Sequence, residues 1–375
     1  MQDLHEYLLP VNKSILNNDM AYNDSQFGNT IKIYEKEIPG ISEADIVIIG
    51  TNEFRGEGII SEIHSADAIR AQLYALHNWH SDVTIADLGN LVLGSSLADS
   101  YAAMNIVLKE LLRENKNVLI IGGSHDNTLG QYYPYRDKKQ IIEATVVDAC
   151  INLISESQLK CENFLLEMLT GDPNVIKHYN HIGFQSYFVH PYMLETMDKL
   201  RFDCYRVGTA KEHLEEMEPV IRTTSLLSFD IAAIKHSDAP SMVCSPNGFS
   251  GEEACNLLRY AGLSPLLSSV GIYGYQPSND KDNLTAIQIA QMIWYFIDGK
   301  SRSKQEALIQ DRQNFNEYHT AFAEVDTIFL QSKKTGRWWM QLPNKEMIAC
   351  SYNDYLFASN NEIPERWLRA QEREA

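Results

Sequence analysis

The chain has 375 residues, 44% apolar and 22% charged, with 32 Lys and Arg against 50 Asp and Glu for a formal charge of -18. This composition supplies ample core for one large domain plus a smaller appendage, excludes extensive disorder, and argues against phosphate-backbone or anionic-membrane partners. The start, MQDLHEYLLPVNKS, lacks a long apolar run, so the expectation is a cytoplasmic protein that binds neither nucleic acid nor membrane.

After an N-terminal extension (1–43), short β-branched runs alternate with helical-period stretches. Eight runs read as strands: 44–50, 83–89, 117–123, 144–149, 181–184, 202–208, 225–231 and 269–275. Between them, 65–79, 100–115, 252–263 and 283–299 read as helices long enough to cover a sheet face. The pattern predicts a three-layer α/β/α domain with a mainly parallel sheet. Gly299 sits where a helix C-terminal glycine belongs, so the domain is placed at 1–299 and a C-terminal α+β extension at 300–375.

In that extension, residues 301–325 read as a polar helix, IFLQS-KKTG-RWWMQLP as a β-hairpin turning at Gly336, and the segment after Pro364 as a terminal helix. Trp338, Trp339 and Trp367, three of the five tryptophans, need cover. Docking onto the main domain is the first reading and a face for a protein partner the second. The six cysteines (Cys150, Cys161, Cys204, Cys244, Cys255 and Cys350) show no CxxC spacing and read as reduced thiols.

Working residues of a parallel sheet lie past the carboxyl ends of its strands. Three polar segments fall there: Gly122-Gly123-Ser124-His125-Asp126, Asp148-Ala149-Cys150-Ile151-Asn152, and Ser228-Phe229-Asp230-Ile231-Ala232 running on to Asp238-Ala239-Pro240. Taken singly, such an Asp caps a loop and such a Gly-Gly turn is only a turn. Together, His125, Asp148 and Asp230 suit a hard divalent cation such as Mn²⁺, with the Asn152 oxygen or the Cys150 thiolate as a further ligand. A Ser228-His125-Asp148 triad lacks the GxSxG elbow. His181, His190 and His236 read as hydrogen-bonded structural residues, and Asp238-Ala239-Pro240 as a turn.

In order and spacing, GGSHD, DACIN and SFDIAAIKHSDAP resemble the arginase (ureohydrolase) superfamily motifs GGDHS, DAHxD and SxDxDxxDP. SADAIR and VTIADLG resemble further family segments, and HIGFQSY resembles a strand of the formimidoylglutamase branch. The resemblance covers roughly 45–299. It implies a two-manganese centre at the strand ends, hydrolysis of linear C–N bonds and homo-oligomers.

Residue by residue, His125, Asp148 and Asp230 match family metal ligands, whereas Cys150 stands for a ligand His and Asn152 and Ala232 for ligand Asp. Gly274 stands for the glutamate expected to hold a guanidinium, and Ser124 for the aspartate before the ligand His, with Asp126 offered instead on its other side. The expectation is one weakened Mn²⁺ site or none, and a ureohydrolase-fold protein without two-manganese amidine hydrolysis, retained for binding or assembly. The alternatives are a one-metal, formimidoylglutamase-like hydrolase and a small-ligand sensor.

Overall fold

The computed structural model describes residues 2–18, 20–61 and 63–374. Ten strands form one sheet: β1 (Leu8–Leu9), β2 (Lys32–Ile33), β3 (Ile46–Gly50), β4 (Ile85–Leu91), β5 (Asn117–Ile121), β6 (Ile142–Val147), β7 (Ile176–Phe184), β8 (Asp203–Arg206), β9 (Leu226–Asp230) and β10 (Ser269–Tyr273). Their order is β1-β4-β3-β5-β10-β9-β6-β7-β8, with β2 also beside β4. All eight predicted strands are present. The two additional ones are two-residue pieces of the N-terminal segment added beside β4, and β1 runs antiparallel to it.

The near-continuous apolar strands follow from burial on both faces. In β3, Ile46 and Ile48 pack with the helices Ser65–Ala75, Gly251–Leu263 and Leu284–Ser303, while Val47 and Ile49 face the helix Leu97–Arg113. This is the predicted three-layer arrangement. Arg70 ties one helical layer to the sheet: its Nε and Nη2 donate to the two oxygens of Asp87 on β4 at 2.8 Å each.

Gly299 does not end its helix, which continues to Ser303. A Cβ at Gly299 would stand 2.2 Å from the Arg259 carbonyl and 3.0 Å from the Gly262 Cα, so its role is close approach between two helices.

The polar helix expected at 301–325 is likewise corrected. After Ser303 the chain turns, and 315–322 is a strand, β11 (Phe315–Phe322), paired with β12 (Val325–Ser332) across a tight turn in which Ala323 and Glu324 take positive φ. Only its ends, Phe315 and Phe322, are buried, so neither a helical nor a strand periodicity shows in the sequence. The hairpin is present: β12 pairs with β13 (Trp338–Gln341) through a turn containing Gly336 at φ +74°. β13 in turn pairs with β14 (Met347–Cys350). Two helices follow, Tyr352–Ser359 and Glu365–Glu374.

All three extension tryptophans are buried inside the chain itself. Trp338 stacks on Tyr318 and Tyr355, and the Arg222 guanidinium of the main domain lies 4.6 Å from the Trp339 ring. Arg222 also donates to the Trp338 carbonyl at 2.7 Å, and Arg337 donates back to the Leu263 carbonyl at 2.9 Å. Among the described residues no helix is long and apolar enough to cross a membrane.

Candidate metal centre

Strand order brings the three polar segments together. β5, β10, β9 and β6 are consecutive neighbours in the middle of the sheet, so His125 after β5, Asp148 after β6, Asp230 at the end of β9 and Gly274 after β10 share one rim. Gly122 and Gly123 turn the chain there at φ +85° and +77°. A Cβ on Gly122 would meet the Ser65 hydroxyl at 2.4 Å, so that position requires glycine.

His125, Asp148 and Asp230 are buried, and their donor atoms all lie within 4.8 Å of one another, the only such set of three among the described residues. His125 Nδ1 stands 3.0 Å from Asp148 Oδ2 and 3.2 Å from Asp230 Oδ2. An octahedral ion with bonds of ~2.1 Å has ligand-to-ligand edges of about 3 Å, which the two edges at His125 Nδ1 match, so the three residues could hold a divalent cation. Burial alone would push the His125 imidazole down, but the charge of Asp230 and the hydrogen bonds to both aspartates outweigh it and carry the pKa up to about 10. Asp148 is drawn below the usual carboxylate range despite its burial, chiefly by its bond to His125, while burial and the neighbouring Asp148 charge hold Asp230 up.

The flanking residues differ from the expected ligand set. Asn152 turns its amide nitrogen to the cluster, donating to Asp148 Oδ2 at 2.9 Å and standing 3.2 Å from His125 Nδ1. An amide nitrogen is a donor and does not ligate a cation. The Cys150 N–H donates to Asp148 Oδ1 at 3.1 Å, and the Ala232 N–H to Asp230 Oδ1 at 2.8 Å, which fixes both carboxylates. The Ala232 side chain supplies no donor. The residues present fit one Mn²⁺-class ion and do not fit a second.

Ser124 and Asp126 do not orient His125. The Ser124 hydroxyl donates to the Glu53 carbonyl at 3.1 Å, and Asp126 accepts the Tyr101 hydroxyl. The residue that steadies the ring is Ser228, whose Oγ is 3.0 Å from His125 Nε2 and 2.6 Å from the Thr128 hydroxyl. Asp148, His125 and Ser228 thus connect in the order of a serine-protease relay, but Ser228 is fully buried beneath the imidazole, where no substrate reaches it. Its place inside SFD offered a signal; Thr128 offered none.

His181, His190 and His236 are hydrogen-bonded as expected, to the Asp148 carbonyl, the Tyr192 N–H and the Met242 carbonyl respectively. Asp238 accepts the Gly251 N–H at 2.8 Å. Gly274 takes φ +84°, and a Cβ there would lie 2.5 Å from Asp230 Oδ1, so this backbone has no room for the glutamate side chain. Sequence reasoning missed Glu57, on the loop after β3, whose carboxyl is pushed up to about 7 by burial and then by Asp230 and Asp126. Gln276 Nε2 donates to it at 3.0 Å.

The model of the arginase family matches residues 44–298. Formimidoylglutamase of Lysinibacillus sphaericus (strain C3-41) is 22% identical over 250 residues, covering 62% of this chain and 76% of that protein. A Streptococcus pyogenes serotype M3 formimidoylglutamase is 24% identical over 268 residues, covering 64% and 79%. Among solved structures, Trypanosoma cruzi formiminoglutamase with Mn²⁺ superposes with a TM-score of 0.66 at 17% identity, covering 74% of this chain and 99% of that one. Bacillus subtilis formimidoylglutamase gives a TM-score of 0.65 at 16% identity, covering 80% and 98%. With the family match spanning more than half of its residues, the chain belongs to the arginase family.

Proposed function

We propose that the chain is a metal-binding arginase-family protein that holds one divalent cation of the Mn²⁺ class on His125, Asp148 and Asp230, and that it serves binding or assembly without two-manganese hydrolysis of linear amidines. The observation that carries this reading is the donor inventory around the two aspartates: a thiol at Cys150, an inward amide nitrogen at Asn152 and a methyl group at Ala232. Mn²⁺ selects oxygen and imidazole donors; the thiol and the methyl group offer neither, and Asn152 presents its amide nitrogen to the cluster in place of a carboxylate. Gly274 supports the same reading, since no carboxylate projects from the end of β10 toward a cationic substrate.

A bound ion would supply positive charge that polarises a ligand's oxygen or nitrogen. Ser228 holds the imidazole in its plane, and Asn152 keeps Asp148 turned toward the shared point. Both act on orientation.

A second reading, a one-metal hydrolase of linear C–N bonds as in relatives named formimidoylglutamase, is favoured by Glu57. A carboxyl held at about 7 beside the cluster is poised to exchange a proton near neutrality. Metal analysis after manganese loading, with assays on formimidoylglutamate, agmatine and arginine, separates the readings. One ion and no turnover supports the first, no ion overturns it, and one ion with turnover moves the assignment to the second. Two tightly held manganese ions with turnover would overturn both.

A further inference from the structure

The four-stranded sheet of the extension runs β11-β12-β13-β14, so β11 stands at an edge, with a strand on one side only among the described residues. It is eight residues long, keeps unbroken register with β12, and carries no proline, lysine or bulge, the devices that commonly blunt an exposed edge. The edge strand β8 of the main sheet is treated differently: the terminal helix reaches it, and Arg373 donates to Asp203 there at 2.8 Å.

The register fixes which backbone groups are free. Phe322 and Val325 close the two-residue turn and exchange both of their backbone bonds, so by alternation Thr320, Tyr318 and Asn316 also bond to β12. The N–H and C=O groups of Phe315, Glu317, His319 and Ala321 therefore point away from it. The bond from the Lys333 N–H to the Asn314 carbonyl, at 2.9 Å, continues the same alternation just beyond the strand. The side chains of Glu317, His319 and Ala321 are exposed, which leaves this row open.

Two such edges can join antiparallel about a two-fold axis only if outward-bonding residues face outward-bonding residues. Two registers satisfy this and keep most of the strand paired. One centres on His319, setting imidazole against imidazole and Glu317 against Ala321. The other centres on Tyr318, setting Glu317 of each copy against His319 of the other and Phe315 against Ala321. Glu317 and His319 already meet at 3.0 Å within one strand, so in the second register each carboxylate has one imidazole beside it and another opposite. That register also brings Asn316 opposite Thr320, whose buried Oγ1 has no hydrogen-bond partner in the single chain.

We infer that β11 is a self-association edge, along which two copies of this chain join antiparallel in the Tyr318-centred register and make one continuous sheet of their two extensions. The occupant is a second copy because the row is complementary to itself, in backbone groups and in the Glu317 and His319 side chains alike. The inference uses no feature of the metal centre and holds whether or not an ion is bound.

Sedimentation velocity of the full chain over a concentration series should show reversible dimer formation. His319→Glu sets glutamate against glutamate at both cross-strand pairs and should weaken the dimer by about tenfold or more. Adding Glu317→Lys to that variant restores opposite charges across the axis and should bring the dimer back to within about threefold of wild type. In the His319-centred register the same double variant would still face glutamate with glutamate and would stay weak.

Both side chains are exposed, so the melting temperature and the manganese content should stay at wild-type values throughout, which separates lost pairing from misfolding and from failure of the metal reading. A wild-type chain that remains monomeric up to its solubility limit overturns the inference. So does an assembly that His319→Glu leaves unchanged, or a double variant as weak as His319→Glu alone. Because the first of these arms uses the wild-type chain, a misfolded variant does not leave the question open.

Discussion

Arg70 and His125 are both buried bases facing aspartates, yet they are finished to different degrees. The five N–H groups of Arg70 reach the two Asp87 oxygens, the Gly89 carbonyl, Asp67 and Asn90, and Asp87 further accepts the Tyr74 hydroxyl. Guanidinium is always charged, so that cluster is complete as it folds. Around His125, two carboxylates converge on one titratable ring, at 3.0 and 3.2 Å from its Nδ1. Buried charge that is permanently matched is structure, whereas buried charge matched only by an exchangeable proton is a binding site in waiting.

The largest effect expected from this contrast is at Arg70. Arg70→Ala leaves Asp87 charged and unpaired in the core, and urea unfolding should show a loss of about 3–5 kcal/mol. Next comes Gly274→Ala, which forces a side chain into a positive-φ position 2.5 Å from Asp230 Oδ1. A loss of about 1–3 kcal/mol is expected, and a neutral result would mean that the His125 rim has slack which the Arg70 cluster lacks.

A smaller effect is expected from Glu57. Its folded-state pKa of about 7 lies above the ordinary value of 4.5, so the folded chain binds the extra proton. That contribution is complete below pH 4.5 and disappears as pH rises through 7, making stability fall across this window, by on the order of 1 kcal/mol after allowance for partial exposure. Glu57→Gln should flatten the fall in melts collected at several pH values. The smallest effect belongs to Asp230→Asn without metal: it relieves like-charge crowding against Asp148 and keeps an oxygen for the Ala232 N–H, so a change within about 1 kcal/mol is expected. The same variant should lose any rise in melting temperature that Mn²⁺ gives the wild type. If it unfolds as readily as Arg70→Ala, the distinction between the two clusters fails.

The strand ends that carry His125, Asp148 and Asp230 were legible because apolar strand runs and polar punctuation lie in continuous sequence. What steadies or surrounds those residues was not. Ser228 lies on a strand paired with neighbours distant in sequence, and Glu57 comes from the segment after β3, where it accepts from Gln276, 219 residues further along the chain. Ser124 and Asp126 were plausible by adjacency alone, but the glycine turn directs them to Glu53 and Tyr101. The strand at 315–322 was hidden for a different reason. It is an edge strand with mixed exposure, and only its pairing with β12 distinguishes it from a polar helix.

The Arg222 and Arg337 crossings bear on how the extension is inherited. Each guanidinium spends part of its hydrogen bonding on the other side of the junction, Arg222 on the Trp338 carbonyl and Arg337 on the Leu263 carbonyl, with Trp339 lying against both. A gene shortened to the family's matched length would keep Arg222 paired with Glu218 but take away the Trp338 carbonyl and the Trp339 ring, baring hydrocarbon where the tryptophans had been and leaving the Leu263 carbonyl without its Arg337 donor.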